Sequence, residues 1–267
     1  MNLTDKERLI LITNDDGIEA PGIKKLAETA AGYGQVYVIA PDGQRSAMSH
    51  SITCREALRL REYDLQIDGV KAFACSGTPA DCVLVGIKKI LPRKPDHVFS
   101  GINLGFNISA DIQYSGTAGA ALEGAFLGIR SAAFSTGTLP CTEVCDRYLA
   151  ETIEFCLENE PGKDQIWNIN FPDCPLGECK GIMKNTRVYT GPFYDDTYTE
   201  ETSESGEKLY RISTKRIWAA PPDTDLGAIT ANYVSIGTVS NIRENKSLNT
   251  RNRRLRFLLL KRRCFFI

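Results

Sequence analysis

Two adjacent carboxylates, Asp15 and Asp16, close the run Leu9-Ile10-Leu11-Ile12-Thr13-Asn14 and precede Gly17. Side by side they repel each other, and removal from water raises the pKa of at least one. A hard cation relieves both costs, because Mg²⁺, Mn²⁺ and Ca²⁺ take oxygen ligands. The branched apolar run before the acids has the pattern of a parallel strand buried on both faces. The acids then fall at the carboxyl end of a first strand, where open α/β sheets hold their ligands. Asp-Gly is also a common turn pair. This stretch alone supports a cation site and a plain strand-to-helix turn equally.

Three further segments fall at strand ends. Residues 41–51, Pro-Asp-Gly-Gln-Arg-Ser-Ala-Met-Ser-His-Ser, form a polar loop that sets Ser46 beside a cation, Arg45. Residues 101–107, Gly-Ile-Asn-Leu-Gly-Phe-Asn, offer the neutral oxygens of Asn103 and Asn107 between glycines that let backbone approach a ligand. Residues 114–124, Tyr-Ser-Gly-Thr-Ala-Gly-Ala-Ala-Leu-Glu-Gly, open a helix with small residues. There the N–H groups, the helix dipole and the hydroxyls of Ser115 and Thr117 converge on a natural phosphate site. It lacks the Lys of a P-loop, so positive charge has to come from a metal. Taken singly, each segment has a plainer reading as a turn, an N-cap or a tightly packed helix. Together they line one crevice. His50 reads as a loop histidine satisfied by a neighbour. Arg45 reads equally as a solvated side chain or a phosphate partner.

The elements that must position these residues alternate. Strands are predicted over 9–13, 35–41, 96–100, 131–135 and 166–171. Helices are predicted over 21–31, 79–91 with Thr78 as N-cap, 116–130 and 143–158. This βαβα rhythm predicts an α/β fold, a Rossmann-like, mostly parallel sheet with helices on both faces. Residues 55–75 read as a hairpin around Asp68-Gly69. From 182 to 238 the pattern turns strand-rich, and the polar stretch 194–207 reads as an exposed loop or hairpin tip. The expected organisation is a metal- and phosphate-binding core over 1–180, a strand-rich C-terminal arm for oligomerisation over 181–247, and a basic tail over 248–267. Such arms often exchange between subunits.

The chain has 267 residues with 42% hydrophobic content, enough for one large core. A net charge of −1 argues against a nucleic-acid surface. No apolar run nears the roughly 20 residues of a membrane span, and residues 1–8 lack a signal-peptide pattern. Nine cysteines are scattered without Cys-x-x-Cys, and His50 and His97 are the only histidines available to complete a zinc site. Free thiols in a reducing cytoplasm are expected, with no membrane and no nucleic acid as partner.

The ordered motifs resemble the SurE survival-protein family. They are Asn14-Asp15-Asp16-Gly17, Ala40-Pro41-Asp42 with Arg45-Ser46, Ser76-Gly77-Thr78-Pro79-Ala80-Asp81, and the segments 100–107 and 114–124. The match runs over residues 8–136, with weaker matches at 168–172 and 224–236. The resemblance implies a metal-dependent phosphomonoesterase acting on nucleoside 5′-monophosphates, with 3′-monophosphates and short polyphosphate as further substrates. It carries the metal ligands to Asp15, Asp16, Ser46 and Asn103, and phosphate binding to Asn107, Ser115, Gly116 and Thr117. The mechanism inferred is metal-assisted hydrolysis with Asp15 and Asp16 as the catalytic pair, favoured as ligands over a base or a nucleophile; one divalent cation, Mg²⁺ or Mn²⁺, is expected per subunit of a homodimer or homotetramer. The alternative is a nucleotide- or phosphate-binding regulatory domain that does not hydrolyse its ligand. The acid pair separates the two, because simple anion binding has no use for adjacent carboxylates. A dehydrogenase is disfavoured, since no Gly-x-Gly-x-x-Gly follows the first strand. The family's Ser-Ile-Thr-Pro-Leu-like segment is replaced by Ser235-Ile236-Gly237-Thr238-Val239-Ser240. The basic, apolar tail that follows resembles nothing in the family. It reads as a subunit-packing extension, an altered reading frame, or a segment for an acidic or lipid surface ending in the prenylation-box outline Cys264-Phe265-Phe266-Ile267.

Overall fold

The computed structural model describes residues 8–138 and 143–241. The basic tail, with Cys264, and the N-terminal segment before Arg8 lie outside the described residues.

The first strand, β1 (Leu9–Thr13), is buried along its whole length, as its unbroken apolar run requires. Helix α1 (Pro21–Ala30) follows with Pro at its start. Next come β2 (Gln35–Pro41), β3 (Leu60–Tyr63) and β4 (Lys71–Cys75), then α2 (Pro79–Val85). Thr78 caps α2 in a reciprocal box with Asp81. The helical path continues as a wider π turn over Gly86–Ile90. Strand β5 (His97–Leu104) leads through a 3₁₀ turn at Ser109–Tyr114 into α3 (Gly116–Phe126). After α3 come β6 (Arg130–Thr136), α4 (Glu143–Glu158), β7 (Gln165–Asn170) and β8 (Ile182–Thr186). The chain then forms β9 (Tyr194–Thr202), β10 (Lys208–Arg216), α5 (Asp225–Thr230) and β11 (Val234–Ser240).

Nine strands form one sheet in the order β3-β4-β2-β1-β5-β6-β7-β11-β8. From β4 to β7 neighbouring strands are parallel. β3 is antiparallel to β4 and β11 to β7. Alternate residues of β1 enter opposite layers. Ile10 and Ile12 pack with Ile23 and Leu26 of α1 and with Leu149 and Ile153 of α4. Leu9 and Leu11 pack with Val83 of α2 and Ala120 of α3. The Rossmann-like α/β sheet with helices on both faces is therefore the fold. The chain winds from β1 to β2 on one side and returns to β5 on the other, so the switch point lies between β1 and β5.

Some boundaries differ from the sequence reading. β5 continues through Gly101-Ile102-Asn103-Leu104, which reads as a loop in sequence. Its register to β6 shifts between Ser100 and Asn103, after which Asn103 pairs with Ser135. The glycines there permit the irregular path, Gly101 at φ 137°. Helix α3 ends at Phe126 and Gly128, at φ 70°, turns the chain into β6. The polar stretch 194–207 is strand β9 and the tip of a hairpin with β10. Of the expected arm, β8 and β11 extend the main sheet, and β9–β10 alone forms a separate two-stranded ribbon. The βα alternation stops after β7, but pairing continues antiparallel through β11, so the sheet runs on past residue 180.

Candidate active site

Asp15 and Asp16 leave the carboxyl end of β1 at the switch point. The turn is set by Asn14, whose side chain bonds both the N–H and the carbonyl of Gly17, at 3.2 and 2.8 Å. Asp15 keeps 4% of its surface exposed, and Asp16 is half-buried. Neither is in an ion pair among the described residues. Burial lifts the Asp15 carboxyl to about 6; the Thr117 bonds oppose the rise and the Asp16 charge adds to it. Burial also raises Asp16, opposed by an N–H from Leu104 at 2.9 Å.

Three segments close on this pair. Arg45 donates its backbone N–H to the Asp15 carbonyl at 2.7 Å, which places the Ser46 loop beside β1. Ser46 itself is exposed. Leu104, next to Asn103, bonds Asp16. The Asn103 amide donates to the Gly105 carbonyl at 2.7 Å. The start of α3 completes the ring: Thr117 donates its N–H to Asp15 Oδ2 at 3.1 Å and its hydroxyl to Asp15 Oδ1. A Cβ on Gly116 would sit 3.0 Å from Asp15 Oδ2 and 3.4 Å from the Arg45 carbonyl, so glycine permits this approach. Ser115 caps α3 by accepting from the Ala118 N–H at 2.9 Å.

The backbone thus brings Asp15, Asp16, Ser46, Asn103, Ser115, Gly116 and Thr117 together at the carboxyl end of β1. Asn107 lies beyond β5, with its amide on Ser135 Oγ at 2.8 Å. Thr117, read from sequence as a phosphate-binding residue, bonds the Asp15 carboxylate. His50 is satisfied, with Nε2 2.7 Å from Glu123 of α3. Arg45 holds Asp42 and the Ser76 carbonyl, at 3.2 and 3.3 Å. The sequence reading gave no role to Ser135, Asn168 or Asn170, which surround Asn107. The signal for the last two is a pair of Asn at period two inside the otherwise apolar run Ile-Trp-Asn-Ile-Asn-Phe.

No group of three His, Cys, Asp or Glu side chains fit for a metal occurs among the described residues. A cation here would find two carboxylates supplemented by hydroxyl, amide or water oxygens, a hard donor set. The residues fit such an ion, since an acid pair drawn out of water without a cationic partner is what it would neutralise. The seven described cysteines are free thiols.

Fold and site together define a Rossmann-like α/β protein whose acid pair at the switch point is held by the first turn of a helix. The survival protein SurE family model matches residues 10–193. The 5′-nucleotidase SurE of Thermosipho melanesiensis is 40% identical over 235 residues, covering 86% of this chain and 91% of the relative. The 5′-nucleotidase SurE 1 of Thermus thermophilus is 40% identical over 237 residues, with the same coverage. The crystal structure of the SurE protein from Aquifex aeolicus superimposes with a TM-score of 0.77 at 34% identity, covering 93% of this chain and 99% of that one. The chain belongs to the SurE family.

Proposed function

We propose that this chain is a divalent-cation-dependent phosphomonoesterase that hydrolyses nucleoside 5′-monophosphates, with 3′-monophosphates and short polyphosphate as further substrates. The observation that carries the reading is the contact between Asp15 and the first turn of α3, which joins a cation-suited acid pair to an anion-suited helix start. The relatives named 5′-nucleotidase, matched over most of their length, support the same activity. They give no support to a non-catalytic regulatory domain.

In this reading Asp15, Asp16, Ser46 and Asn103 hold one Mg²⁺ or Mn²⁺ per subunit. When bound, the cation supplies Lewis acidity toward the phosphoryl oxygens. Asn107, Ser115 and the Gly116 N–H donate to the remaining oxygens, Thr117 lines the same turn while it holds Asp15, and together they keep the phosphoryl group in line for attack by water. The P–O ester bond breaks as the water oxygen bonds phosphorus, and the proton that the water gives up goes to the leaving nucleoside oxygen. Both aspartates serve as ligands and neither as nucleophile.

The chain acts as a homodimer or homotetramer in the cytoplasm. The β9–β10 ribbon exposes Tyr198, Tyr210 and Ile212 on one face, and the segment after it exposes Trp218, apolar area suited to a second subunit. Free thiols accord with a reducing compartment. Among the described residues no helix is long and apolar enough to cross a membrane. The test is phosphate release from a panel of nucleoside monophosphates with Mg²⁺, with Mn²⁺ and with excess chelator, alongside mass by light scattering. Full turnover in chelator would overturn the cation dependence; a monomer would overturn the assembly.

A further inference from the structure

Asn107 stands where no strand can serve its peptide. β5 has ended at Leu104, Gly105 turns at φ 132°, and Ser109 sits at φ 60°. The residue is nevertheless buried, so its N–H and carbonyl need partners. The Asn170 side chain supplies both. Its Oδ1 accepts from the Asn107 N–H at 2.9 Å and its Nδ2 donates to the Asn107 carbonyl at 3.0 Å. A side-chain amide thus does what a neighbouring strand would do. Asn168, two residues earlier on the same face of β7, donates to the same carbonyl at 2.8 Å. Ser135 of β6 takes one N–H of the Asn107 side chain at 2.8 Å. An amide nitrogen carries two N–H groups, and this contact uses one of them.

This arrangement has a cost that stability alone does not explain. Asn168 Oδ1 is buried without a hydrogen-bond partner, and an orphaned buried acceptor is unfavourable. An apolar side chain there would avoid that penalty and would leave Asn170 still bonded to the Asn107 carbonyl. What Asn168 adds is a second fixed direction on one peptide.

We infer that Asn170, assisted by Asn168 and Ser135, is a positioning residue: it fixes the Asn107 peptide and thereby aims the Asn107 amide at the phosphoryl group. The inference rests on the reading of Asn107 as a phosphate contact. It deepens that reading by assigning the end of β7, which carries no proposed ligand, a part in phosphate affinity.

A double-mutant cycle on the full chain tests it. The variants are Asn107→Ala, Asn170→Ala and their combination. The readouts are affinity for inorganic phosphate in the presence of Mn²⁺, affinity for Mn²⁺ alone by electron paramagnetic resonance, and Tm. Each single change is expected to weaken phosphate roughly tenfold, the size of one lost hydrogen bond to a charged group, with Mn²⁺ affinity within about twofold. The double variant is expected to bind phosphate no worse than Asn107→Ala, while the losses in Tm accumulate. A merely structural Asn170 would weaken phosphate by the same factor in both backgrounds, and that result overturns the inference. If Asn107→Ala weakens phosphate and Asn170→Ala does not, the positioning role alone falls. If Asn107→Ala leaves phosphate affinity intact, Asn107 is not a phosphate contact and both fall. Should Asn170→Ala fail to fold, Ser135→Ala runs the same cycle on the smaller contact, with the same outcomes deciding.

Discussion

Thr117 donates to both oxygens of Asp15, its backbone N–H to one and its hydroxyl to the other. The helix start that would meet an anion therefore also orients a carboxylate that would meet a cation. These bonds favour the charged form of Asp15 against burial, which holds the carboxyl near 6. The acid is thus kept close to the point where it can exchange its proton for a metal.

Replacing Asp15 or Asp16 with Asn is expected to cut nucleotidase activity by roughly 10²-fold or more, since each removes a charge proposed to hold the cation. For Asp15→Asn the metal-free fold should gain stability at the same time. The folded carboxyl keeps its proton up to about 6, whereas an unfolded one loses it near 4. Its burial therefore costs stability that grows as pH rises from about 4 to 6 and stays level above. Removing the charge should raise the metal-free Tm at pH 7 by on the order of 2–6 °C, read by calorimetry. Activity that survives with a lowered Tm would contradict both halves.

Metal uptake should depend on pH through the same group. A ligand must be deprotonated to bind, so affinity for Mn²⁺ is expected to climb from pH 5 to about 7 and then flatten. Titration calorimetry in buffers of different ionisation enthalpy should show about one proton released at pH 5 and almost none at pH 8. A proton count that does not change with pH would place the metal away from Asp15.

Thr117→Val keeps the N–H to Asp15 and loses the hydroxyl, so the Asp15 pKa should rise further. Mn²⁺ affinity is expected to fall roughly tenfold at pH 6 and recover by pH 8. Thr117→Ser restores the hydroxyl and should behave like the parent. Loss of phosphate affinity alone, with Mn²⁺ unchanged at every pH, would show that the hydroxyl serves the anion and not Asp15.

Gly116→Ala should damage function more than folding. The added methyl sits 3.0 Å from both Cβ and Oδ2 of Asp15, so the carboxylate must shift. Rate is expected to drop by roughly 10-fold or more with Tm changed by only a few degrees. A variant with full rate would show that Asp15 has room to move without consequence.

The sequence by itself carried the doubly wound core and the acid pair. Branched apolar runs at residues 9–13 and 35–41 can satisfy two buried faces only as central parallel strands. Asn14-Asp15-Asp16-Gly17 then falls where such a sheet opens. These signals are local and periodic, so they survive without tertiary knowledge. The tertiary structure decided what local pattern cannot carry. The pairing of β11 onto β7 and of β8 onto β11 spans long stretches of chain and depends on which sheet edge lies open, so local pattern after 180 does not show that the sheet continues. The continuation of β5 through its glycines depends on β6 lying beside it. The partners of Asp15 and Asn107 lie 102 and 63 residues away in sequence, at Thr117 and Asn170. Long-range hydrogen bonds leave no mark on local spacing. The two Asn of β7 therefore appear in sequence only as polar interruptions of a buried strand, and only the folded chain shows what they hold.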